Sequence, residues 1–180
     1  MRRSREEAAE TRKSIVRAAA REFREKGIVA TGLADLMKAA GLTHGGFYKH
    51  FASKDQVVAE ATVAAMDGIL EELGARPTVN SAVAGYLSTR HRDNPASGCP
   101  LAAFGGELAR SDKEARAAAT AGFLGLVDIL AGKACSADAR QQAMVAAVTM
   151  IGAVTMSRMV SDPKLSAEIL DAAAKNLAED

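Results

Sequence analysis

The chain has no tryptophan and only 4% aromatic residues, yet 48% of its 180 residues are apolar. A core built mainly from Ala, Leu, Val, Ile and Met has the composition of packed helices. No run approaches the roughly 18 consecutive apolar residues of a spanning helix, and no signal-peptide apolar region follows the basic start "MRRSREEAAETRK". The two cysteines, Cys99 and Cys135, stand 36 positions apart, without CxxC spacing or clustered histidines. A disulfide framework and a zinc site are therefore not indicated. The expectation is a soluble cytoplasmic protein with reduced thiols and no metal or cofactor.

What is present is an uneven distribution of charge. The net charge is +1, but the piece ending at Lys54 holds 12 Lys+Arg against 6 Asp+Glu and the remainder 11 against 16. A basic segment of net +6 joined to an acidic one of net −5 implies that only the first meets a polyanion. Helical periodicity gives a first helix over 6–26 ending at Gly27, and a short second helix opened by Thr31 and closed by Gly41. A third, capped by Thr43, runs to about Phe51, and a fourth from Asp55 to Gly74. Beyond Pro77 come a helix over 81–89, a polar loop "RHRDNPASG", and helices from Pro100, over 113–134, over 137–159 and over 165–180. The expected fold is all-α, about nine helices, divided into residues 1–54 and 55–180.

The stretch "GLTHGGFYKHF" places two glycines in one helical turn, each costing about 1 kcal/mol against alanine. At roughly 100° per residue, Phe47 and Phe51 share a buried arc, while Gly45 and Lys49 point the opposite way with Tyr48 and Gly46 on the flanks. Glycines on an outward face let the backbone approach closely, which suits a helix that enters the major groove. The bland alternative is a weak helix start. His44 and His50 have no companions at metal-ligand spacing.

The composite of "IVRAAAREFREKG" and "ATGLADLMKAAGLTHGGFYKHFASKDQVV" resembles the TetR family of one-component transcriptional regulators. The likeness covers a first helix ending in phenylalanine and glycine, a threonine opening helix two, alanine-glycine at the turn, and tyrosine-x-histidine-phenylalanine followed by lysine. Gly32 departs from it, standing where serine or threonine is common. The resemblance implies a three-helix DNA-binding headpiece with a helix-turn-helix, and a larger helical body that binds a small-molecule effector and dimerises through its last two helices. It implies phosphate contacts by Thr31, Thr43, Tyr48, His50 and Lys54, and base-edge contacts by His44, Gly45, Gly46 and Lys49. The "MRRSR" arm adds phosphate neutralisation, and "GCPLAAFGGELA" is similar to one branch of the family.

The expected function is a ligand-responsive repressor that binds a palindromic double-stranded DNA operator as a homodimer, with no membrane association; an activator or a redox sensor acting through Cys99 are variants. Candidate pocket residues are Met66, Tyr86, His91, Cys99, Leu101, Phe104, Phe123 and Met150, each with an ordinary core role as its alternative. The dimer surface is expected on 139–159 with 165–177, where Ala146, Ala147, Gly152 and Ala153 would let helices approach. The alternatives from other classes are a small helical hydrolase using Cys99 with His91 and a protein-interaction module. Against the hydrolase, no GxSxG, HExxH or phosphate-binding glycine loop is present.

Overall fold

The computed structural model describes residues 5–132 and 136–178, with His44 described in its backbone only. The basic arm at 1–4 and Cys135 lie outside the described residues. Among these are nine α-helices, two 3-10 segments and no strand, in the all-α class expected. The helices are α1 (Arg5–Lys26), α2 (Leu33–Ala39), α3 (Lys54–Gly74), α4 (Val79–Tyr86), α5 (Thr89–Asp93), α6 (Pro100–Leu108), α7 (Lys113–Ala131), α8 (Ala137–Met159) and α9 (Pro163–Ala178).

In α1, Ile15, Ala19 and Phe23 are buried at four-residue intervals, with Glu6 and Glu7 in the first turn and Arg24 and Lys26 in the last, in keeping with the helix dipole. Gly27 stops the helix at φ +88. A side chain there would also meet Glu107, whose Oε2 is 2.9 Å from the place of a Cβ. At the end of α2, Gly41 has φ +71; its N–H donates to the Lys38 carbonyl and the Leu42 N–H to that of Met37. Those two bonds are a Schellman cap and make the tight turn between α2 and the next element.

That element is the 3-10 segment His44–Lys49, not the α-helix expected over 43–51. Two adjacent glycines lower helix propensity, and the segment closes with i→i+3 bonds from the Gly46 N–H to Thr43 and from the His50 N–H to Phe47. The start of α2 is a second correction. Gly32, not Thr31, is its N-cap, and the Asp35 carboxylate accepts the Gly32 N–H at 3.2 Å. The loop expected at "RHRDNPASG" contains α5, capped by the Ser88 hydroxyl, and the second 3-10 turn Pro95–Ser97. α4 starts at Val79 rather than Ser81 because Thr78 and Ser81 exchange capping hydrogen bonds.

Two hydrophobic cores organise the chain. One gathers Ile15, Phe23, Leu36, Phe47, Phe51 and Val57; the other gathers Ile69, Tyr86, Leu126, Met150, Val154 and Leu170. The first crosses the expected boundary at 54/55: it takes in Val58, Ala61 and Ala65 of α3 and also Phe104, Leu108 and Ala115 from α6 and α7. Phe23 and Phe104 meet edge to face with centroids 6.3 Å apart.

α6 also ties the headpiece through Glu107. Its carboxylate accepts the Ile28 N–H at 3.0 Å and the Val29 N–H at 2.7 Å, two amides left open by the end of α1. Glu107→Ala is expected to lower stability by about 2 kcal/mol, read as a Tm about 4–8 °C lower in thermal unfolding; Glu107→Gln, which keeps an acceptor oxygen, should recover part of it.

Candidate nucleic-acid interface

The packing of α1, α2 and α3 presents the 3-10 segment at the surface. Phe47 is fully buried and Phe51 nearly so, their rings 5.6 Å apart. This inward pair turns Tyr48 out to 68% exposure, edge-on against Phe47, and leaves Lys49 exposed beside it. Gly45 is exposed and a side chain there would meet nothing within 4 Å. Thr43, also exposed, is the N-cap of the segment but its hydroxyl makes no cap bond. Gly45, Tyr48, Lys49 and Thr43 therefore share an accessible edge of the basic segment.

Three of the nine expected contact residues are held differently. Thr31 is fully buried and its hydroxyl donates to the Gly27 carbonyl at 2.7 Å, so that side chain is engaged in the turn and does not reach a phosphate. Lys54 is half-buried and its ammonium donates to the Ile28 carbonyl at 2.5 Å, which holds it against the headpiece. Gly46 faces α2 rather than open solvent: a Cβ there would stand 3.4 Å from Met37 Cε, in ordinary contact. His50 is half-buried, and the side chain of His44 lies outside the described residues.

A residue that the sequence did not single out braces this edge. Arg12 of α1 donates to the His50 carbonyl, pairs with Glu60 of α3, and lies over the Phe51 ring at 4.1 Å. Its partners are 38 and 48 positions away, so no local pattern reports it.

Two short helical elements joined by a tight glycine turn, with the second exposed and basic, form a helix-turn-helix. The family model described as "Bacterial regulatory proteins, tetR family" matches residues 15–61, which span α1, the turn, the 3-10 segment and the start of α3. Residues 15–61 thus form an N-terminal segment of the TetR family type. Over 58 residues the chain is 47% identical to the HTH-type transcriptional regulator TtgR of Pseudomonas putida, a stretch that covers 32% of this chain and 28% of that one. It is 44% identical over 54 residues to the HTH-type transcriptional repressor BepR of Brucella suis, covering 30% and 26%. The match thus spans little more than a quarter of these relatives' length.

The fold extends the likeness to the whole chain. The reduced form of Escherichia coli NemR superposes with a TM-score of 0.75 at 20% identity, covering 93% of this chain and 95% of that one. A TetR-family regulator from Cytophaga hutchinsonii gives 0.73 at 23% identity, covering 99% and 98%. AibR in complex with isovaleryl coenzyme A and operator DNA gives 0.61 at 19% identity, covering 93% and 97%.

In the body of the chain, the expected pocket residues separate into different surroundings. Met66, Cys99 and Met150 are closed into the second core, with Leu101 and Phe123 packed against it, and Phe104 belongs to the first core. Tyr86 and His91 line a cavity of about 370 Å3, which opens between the end of α3, α4, α5 and the second 3-10 turn. The Cys99 thiol is fully buried, and burial pushes its pKa up, which opposes thiolate chemistry. His91 Nε2 accepts the backbone N–H of Cys99 at 2.9 Å rather than its thiol, so the two do not form a nucleophile–base pair.

His91 Nδ1 lies 2.7 Å from the Tyr86 carbonyl, a bond that requires Nδ1 to carry the proton; with the Cys99 N–H on Nε2, the ring is neutral. Burial, aided by the nearby Arg158 charge, lowers its pKa from the ordinary 6.5. The unfolded chain then binds more protons than the folded one just below pH 6.5, so stability falls as pH drops through that value. Chemical denaturation between pH 7.5 and 5.5 should show this decline, and a His91→Gln variant should show a shallower one.

Proposed function

We propose that this chain is a DNA-binding transcriptional regulator, a repressor that binds a palindromic operator as a homodimer and is released by a small molecule. The observation that carries this reading is the exposed edge of Thr43, Gly45, Tyr48 and Lys49 in the basic segment, held over the buried Phe47 and Phe51. Lys49 is suited to donate to guanine O6 or N7, while Tyr48 and Thr43 suit phosphates and Gly45 lets the backbone close on the groove. The similarity to the transcriptional regulator TtgR and the transcriptional repressor BepR, and the operator DNA bound by AibR, support the same class.

Dimerisation is proposed through α8 and α9. Val145, Val148, Met156 and Met159 are 59%, 61%, 45% and 69% exposed, and at about 100° per residue they fall with Gly152 on one stripe along α8. Apolar exposure along a whole helix face marks an interface. Of the small residues expected there, Gly152 is exposed, but Ala147 and Ala153 are buried within the monomer. A second copy doubles the DNA contacts and restricts binding to half-sites about 34–36 Å apart or a multiple of that.

Two routes connect body to headpiece in this reading. α3 begins beside the recognition segment and ends at the cavity, so its tilt moves both. Arg24 of α1 donates to the Gly98 carbonyl at 3.0 Å, next to the Cys99 amide held by His91. An effector that favours a different spacing of the headpieces would release DNA.

DNA from the promoter region of the protein's own gene, titrated in fluorescence anisotropy, tests the function. Selective binding that weakens with salt is expected, and Gly45→Leu should lose about 1–3 kcal/mol of operator affinity without lowering Tm, since no neighbour obstructs the new side chain. Equal affinity for unrelated DNA, or an unchanged Gly45→Leu variant, would contradict it.

A further inference from the structure

The acidic body contains a concentration of arginine at one end. Arg76 and Arg90 line the cavity, and behind its His91 wall stand Arg92, Arg158 and, from α1, Arg24. Carboxylates meet only two of the five: Glu72 pairs with Arg76 at 3.1 Å and Asp93 with Arg92 at 2.7 Å. Among the described residues Arg24, Arg90 and Arg158 form no ion pair within 4.0 Å, though Asp93 lies near enough to Arg158 to act on its charge. Arg24 and Arg158 are half-buried and bond only backbone carbonyls: Ala20 and Gly98 for the first, Arg92 and His91 for the second. Desolvation lowers the pKa of both; the Asp93 carboxylate offsets this only in part for Arg158, and no carboxylate offsets it for Arg24.

Two buried donors in the same region also lack an oxygen or nitrogen acceptor. They are the Tyr86 hydroxyl, in a residue only 2% exposed, and the Arg158 Nη1. The Cys99 thiol beside the hydroxyl is a weak acceptor at best. A buried unmatched donor costs about 1–3 kcal/mol, and these two, with the guanidinium groups of Arg24 and Arg158, make the wall behind the cavity positive and rich in donors. The cavity supplies the rest of a binding site. Ile69, Leu73 and the body of Tyr86 give an apolar lining, Arg76 and Arg90 give the polar rim, and about 370 Å3 lies at the small end of the range for small-molecule sites.

The geometry points to a cavity that binds a small organic acid, a carboxylate on a short apolar chain, with Arg76 and Arg90 as its anion-binding residues and Ile69 and Leu73 against its tail. Planar guanidinium groups bind carboxylates through paired N–H donors, which an uncharged amide cannot reproduce. Glu72 opposes a second anion but already pairs with Arg76, so the rim stays net positive. This inference rests on the ligand-responsive reading only for its consequence at DNA. The site itself is tested without DNA.

Isothermal titration of the full chain with butyrate, hexanoate and octanoate, each beside its primary amide, reads the site directly. Saturable binding of the carboxylates and none of the amides is expected, with Arg76→Gln and Arg90→Gln each weakening it about tenfold. Both variants should fold, because Arg90 is exposed and the Arg76–Glu72 pair is a surface one, and unchanged Tm values check this. Arg140→Gln, remote on α8, should bind as the parent does. Equal binding of amides, normal binding by both rim variants, or no saturable binding by any acid overturns the proposal. Hexanoate that binds as expected yet leaves operator affinity unchanged supports the site and overturns only the release of DNA.

Discussion

One uninterrupted helix is a wall of both hydrophobic cores. Val57, Val58, Ala61 and Ala65 of α3 close the core that holds the recognition segment, and Met66, Ile69 and Leu73 of the same helix close the core of the body. Close-packed interiors transmit displacement rather than absorb it, so the two halves share one mechanical element. Glu107 and Arg24 add polar ties across the same boundary. The basic and acidic halves differ in charge, yet in packing they are continuous.

The exposed edge of the 3-10 segment depends on this continuity. Phe47 and Phe51 are buried against residues of α1, α2 and α3, and that burial fixes which side of a short, glycine-containing 3-10 turn faces outward. Alone, six residues with two glycines would have little helical order. Arg12 completes the brace from α1, bonding the His50 carbonyl and covering Phe51. The glycines differ in surroundings: Gly45 opens onto free surface and Gly46 lies against Met37.

Most of the fold and the core of the interface were legible because they rest on local pattern. The Phe47–Phe51 spacing gave the inward face, Gly27 and Gly41 marked helix ends, and the split of charge at Lys54 marked the basic half. What stayed hidden depends on partners distant in the chain. Thr31 and Lys54 look like free polar groups until the turn brings the Gly27 and Ile28 carbonyls to them. The expected pocket residues separated for a related reason: apolar identity reports burial but not which buried side chain borders a void, so Met66 and Met150 read like Tyr86. The arginine cluster is assembled from α1, the end of α3, α5 and α8, and no single stretch of sequence displays it.

The central claim is that the exposed edge around Gly45 reads DNA in a symmetric pair. Selection of bound sequences from a random double-stranded pool, followed by sequencing, tests it most directly. The account predicts an enriched inverted repeat whose half-sites are separated by a whole number of helical turns. A pool that stays unenriched, or an enriched site without two-fold symmetry, would contradict it.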